Sequence, residues 1–102
     1  MQFSFTFRQF EGTEDLKDLI RTRMETRLAK FLDGRDADIR VTISTEKAWT
    51  TVDVMVTAFG EVFKCTEKTT DLYPTIDTVI DKVERQLLRR KNQVRERKRR
   101  PA

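Results

Sequence analysis

The 102-residue chain has no histidine, one cysteine, two prolines and three glycines. Without histidine it lacks the commonest general base and the commonest zinc ligand. The lone Cys65 can form no internal disulfide, and its presence alone fits a reducing, cytoplasmic setting. No histidine stands ready to activate it as a nucleophile. Serine occurs only at positions 4 and 44, without the glycines of a nucleophile elbow. Glycines at 12, 34 and 60 are too dispersed for a phosphate-cradling loop. Asp77 and Asp81 are spaced i, i+4 on a mixed-charge helix, where a solvated face outweighs a metal site. These absences point away from an enzyme, a cofactor, a metal and a small-molecule substrate. No apolar run reaches bilayer-spanning length and the N-terminus has no signal-peptide plan, so a soluble protein without a membrane partner is expected.

Charge is abundant instead. Hydrophobic and charged residues each make up 37%, which leaves a small core under a heavily charged surface. Residues 89–102 carry eight Lys and Arg against Glu96, a net of +7. Taken from totals of 21 basic and 17 acidic residues, that leaves residues 1–88 with 13 and 16, a net of −3. A mildly acidic body with a strongly basic end suits a polyanionic partner, nucleic acid before membrane. The end is either a solvated tail or one edge of a surface that holds a polyanion.

Periodicity organises the rest. QFSFTFR at 2–8 alternates Phe3, Phe5 and Phe7 with polar residues, the pattern of a half-buried strand whose rings face the core. Thr13 offers an N-cap, and Glu14 and Asp15 suit the positive end of a helix dipole. Leu16, Leu19, Ile20, Met24, Leu28, Phe31 and Leu32 recur at helical spacing until Asp33-Gly34 ends the helix. Arg23, Arg27 and Lys30 share one flank of that stripe, and on this helix alone they read as surface cations with buried stems. ADIRVTIST, TTVDVMVTA and GEVFKCTEK alternate as three further strands, joined by short connections into an antiparallel meander. Trp49 at the first connection is a cap for the sheet edge or a base-stacking platform. The last helix opens at Asp71 with Pro74 in its first turn, and Leu72, Ile76, Val79, Ile80, Val83 and Leu87 line one face. Lys82, Arg85 and Arg89 form a basic stripe beside it, with Asp77, Asp81 and Glu84 on the opposite flank. Arg90 falls where the apolar stripe would continue. The pattern predicts one α+β domain over 1–94, ordered β-α-β-β-β-α, with a four-stranded sheet and both helices on one face. Residues 95–102 are expected to be a basic, disordered tail.

DLYPTIDTVIDKVERQLLRRK at 71–91 resembles the last helix of the ribosome hibernation promoting factors and ribosome-associated inhibitor A proteins. Asp71, Leu72, Tyr73, Ile76, Asp77, Ile80, Lys82, Val83, Arg85, Gln86 and Leu87 carry the likeness, and the element order and chain length agree with it. Leu72 and Pro74 depart from that family's pattern. The resemblance implies a fold like a double-stranded-RNA-binding domain with an added first strand. It implies a monomeric, non-enzymatic factor of the stress or stationary phase. Such a factor binds small-subunit rRNA and neighbouring ribosomal proteins in the mRNA and tRNA channel and inhibits translation by occlusion. By position, Lys82, Arg85, Arg89 and Lys91, with Arg23, Arg27 and Lys30, become RNA phosphate contacts. Longer family members continue into a dimerisation domain, and RERKRRPA stands where such a linker would begin. The alternatives are a generic structured-RNA-binding module and a protein-interaction domain with a basic solubilising tail.

Overall fold

A computed structural model describes the backbone of residues 1–99 and the side chains of residues 1–94. The elements run β1 (Gln2–Arg8), α1 (Glu14–Leu32), β2 (Asp38–Glu46), β3 (Trp49–Ala58), β4 (Glu61–Thr69) and α2 (Leu72–Arg99). This is the expected β-α-β-β-β-α order. The strands lie side by side in the order β1-β2-β3-β4. β2, β3 and β4 form the antiparallel meander, while β1 pairs with β2 in parallel, with Phe5 opposite Val41. The sheet is therefore mixed, because the chain crosses through α1 between its first two strands.

Alternation decides which sheet face the helices cover. Ile39, Val41 and Ile43 of β2 and Val52, Val54, Val56 and Ala58 of β3 are buried. They meet Leu16, Ile20, Met24, Leu28 and Leu32 of α1 and Ile76, Val79, Ile80, Val83 and Leu87 of α2 in one cluster. Thr13 caps α1 as expected, its hydroxyl accepting from the Leu16 amide at 3.1 Å, and Asp33 closes the helix in the left-handed conformation. Thr69 and the Asp71 carbonyl tie down the start of α2 through the Asp71 and Thr75 amides.

Phe3, Phe5 and Phe7 pack against the core from the edge strand β1 and are half-buried, as the alternation of that strand predicts. Their rings stack in a row with centroids 6.1 and 6.3 Å apart. Arg21 and Lys17 of α1 reach over them at 5.5–5.9 Å. The last helix was expected to fray near residue 94, yet α2 continues through Arg99. Arg, Lys, Glu and Gln are good helix formers and need no burial to keep the backbone helical. The expected tail therefore overlaps the helix at 95–99, and residues 100–102 lie outside those described.

Candidate nucleic-acid interface

α2 has two charged flanks because its apolar stripe leaves one edge facing α1 and the other facing β4. The acidic edge meets α1. Arg23 pairs with Asp77, and Arg27 donates to Asp81 and, at 2.9 Å, to Glu84. The hydrogen bond to Asp81, with help from Glu84, raises the Arg27 pKa against the opposing effect of burial. Two cations expected to contact phosphate are thus matched by carboxylates within the molecule and knit the helices together.

The basic edge lies over β4. Lys82 pairs with Glu67, whose side chain faces the helix rather than the open face of the sheet. Gln86 donates to the Lys64 carbonyl and to Cys65 Sγ, each at 3.1 Å. Burial pushes the Cys65 thiol pKa up, and the nearby charge of Lys82 pulls it the other way. Arg85, Arg89 and Lys91 are exposed and, among the described residues, have no ion pair or hydrogen bond. Lys30 is likewise unpaired there, with its ammonium 5.1 Å from the Phe31 ring.

The seven expected residues therefore do not form two equal stripes. Arg85 and Arg89 share one flank of α2, while Lys91 falls about 200° around the helix from Arg89 and meets Lys30 where α1 ends; none of the four has an ion pair among the described residues. Lys30 and Lys91 line one cavity together with Arg35 and Arg90. Arg35 and Arg90 were missed as candidates. The signal for Arg90 was its place in the apolar register: its guanidinium carbon lies 3.7 Å from the centre of the Phe59 ring, and Glu61 holds Nε at 2.6 Å. No comparable signal marked Arg35, which approaches Phe59 only through the fold, at 5.6 Å. Trp49 is exposed at the start of β3 with Lys68 over its ring at 5.4 Å.

Among the described residues, no group of acidic or cysteine side chains is placed to hold a metal ion. No helix is long and apolar enough to cross a membrane.

A mixed four-stranded sheet under two helices, with a cationic edge on the second, defines a class of small α+β proteins with known members. The fold matches the N-terminal domain of Protein Y from Thermus thermophilus, with a TM-score of 0.78 and 24% identity over 87% of this chain and 98% of that one. It also matches a ribosomal subunit interface protein from Coxiella burnetii, with a TM-score of 0.73 and 24% identity over 90% and 99%. In sequence the chain is 28% identical over 96 residues to the ribosome hibernation promoting factor of Escherichia coli strain K12, covering 94% of this chain and 99% of that protein. The chain belongs to the Sigma 54 modulation protein / S30EA ribosomal protein family, whose model matches residues 3–95.

Proposed function

We propose that this protein is a cytoplasmic, non-enzymatic ribosome hibernation factor. It binds the small ribosomal subunit in the mRNA and tRNA channel as a monomer and inhibits translation by steric occlusion. The observation that carries this reading is the outward flank of α2, where Arg85 and Arg89 stand exposed without a carboxylate partner among the described residues, with Lys91 exposed on the flank toward the end of α1. Family membership and the name of the Escherichia coli relative support the ribosome as the place where that edge acts. Exposed cations at helical spacing suit RNA phosphates, since such contacts need charge and position rather than base readout. Lys82, Arg23 and Arg27 contribute by exchanging their carboxylate partners for phosphate, and Lys30 extends the surface onto α1.

The test is co-sedimentation with purified small subunits, together with translation in a cell-free system. Arg85, Arg89 and Lys91 are all changed to Ala, and folding is checked by thermal melting. The parent should pellet with small subunits, be displaced by initiator tRNA with mRNA, and inhibit translation; the folded triple variant should neither pellet nor inhibit. Equal binding and inhibition by the variant would make this edge a solvated face. Binding to free RNA of any kind without preference for small subunits would instead favour a generic RNA-binding module.

A further inference from the structure

The end of α1, the β3–β4 turn and the later half of α2 border an open cleft of about 370 Å³. That is large enough for a small ligand. Its walls include Lys30, Asp33, Arg35, Phe59, Arg90 and Lys91. With Glu61, which holds Arg90, the neighbourhood has four cations against two carboxylates. An anion is favoured there, and an aromatic ring that packs at the edge of the core lies among the cations.

Phe59 is held at a cost. It and Gly60 make the two-residue turn between paired Ala58 and Glu61, with φ of 59° and 71°. A turn with positive φ at both positions favours Asn, Asp or Gly, and a bulky residue in the left-handed region is strained. Backbone strain of this kind collects at functional sites. Here it places a ring 3.7 Å from the Arg90 guanidinium carbon and 5.6 Å from that of Arg35. The ion pair of Arg90 with Glu61 at 2.6 Å fixes one of these flat groups in place.

A ligand that uses the whole cavity is both anionic and planar. Phe59 already packs on the Arg90 guanidinium and against the edge of the core, so a ligand meets the ring on its remaining open side; a phosphate alone would not use that side, and a duplex keeps its bases stacked on one another. On the reading that the protein binds RNA, we propose that this notch receives one unpaired nucleotide, splayed out of the RNA. Its base stacks against Phe59 or the guanidinium planes, and its phosphate lies between Lys30 and Lys91. Aromatic rings and Arg planes are the usual receptors for unstacked RNA bases. The notch would let an otherwise phosphate-reading surface favour RNA with an unpaired residue at the right place.

The test uses Phe59→Asn in the full chain, because Asn suits the turn while removing the ring and its contacts with Arg90 and the edge of the core. Binding is measured against a labelled single-stranded RNA of about ten nucleotides and an RNA duplex of about 16 base pairs. The variant should lose roughly five- to a hundredfold in affinity for the single strand, the range for one base–aromatic stack. Duplex affinity and salt dependence should not fall, thermal melting should show the variant still folded with at most the loss of the ring's packing on Arg90 and the core, and Phe59→Trp should bind the single strand like the parent. An unchanged single-strand affinity, or an equal loss on both probes, would overturn the notch while leaving the wider RNA reading standing. If the parent binds neither probe nor small subunits, the RNA reading itself fails and the notch with it.

Discussion

A Cβ built on Gly12 would stand 2.2 Å from a ring carbon of Phe7, closer than any real contact. The constraint comes from a neighbour, since Phe7 lies between Lys17 above it and Phe10 at 5.7 Å. Gly12→Ala should therefore cost about 1–3 kcal/mol, the usual range for overpacking. Denaturant unfolding would measure it, and a cost below about 0.5 kcal/mol would show that the ring turns aside freely. Nothing in the sequence marked Gly12, because its constraint is a tertiary contact. Thr13, one residue on, was legible because capping involves only the next helical turn. Cys65 was also legible, from its place in the alternating GEVFKCTEK strand. Its buried thiol has a raised pKa, so the protonated form is the stable one in the folded state. That contribution is present below the ordinary thiol pKa and is lost as pH rises through the higher folded value. A thiol reagent near neutral pH should label the native protein slowly and the unfolded protein fast; rapid native labelling would contradict a packing role.

Helices and strands were legible where their periodicity is strong. The α2 stripe is the clearest case: Ile76, Val79, Ile80, Val83 and Leu87 are all buried as their spacing requires. Ile80 is fully buried, so Ile80→Ala should cost about 2–5 kcal/mol. A loss below about 0.5 kcal/mol in chemical denaturation would mean that the stripe carries little of the core. The acidic and basic flanks were equally visible, but their roles were not. Asp77 and Asp81 meet Arg23 and Arg27 across 54 positions of sequence, a separation that no local pattern reports. The parallel pairing of β1 with β2 was hidden for the same reason. Partly exposed ion pairs add little stability each, so the seam between the helices orients α2 more than it stabilises the fold.

At the scale of the molecule, the expected surface is polyelectrolyte-like, and salt should report it. If about five phosphates are neutralised, the logarithm of small-subunit affinity should fall against that of salt concentration with a slope near −4. Arg85→Ala should reduce that slope by about one, with the melting temperature unchanged. A slope near zero would remove phosphate contact from the account. The body measures 55 × 22 × 19 Å, long because α2 runs 28 residues. The net charge is −3 over residues 1–88 and +7 over residues 89–102, and α2 carries the chain from one region toward the other. A chain whose charge is divided this unevenly has a large electric moment, and a field from concentrated phosphate exerts torque on it before any contact forms. The protein would arrive turned basic end first, with fewer collisions spent in the wrong orientation. Added salt would then slow arrival more than it hastens departure.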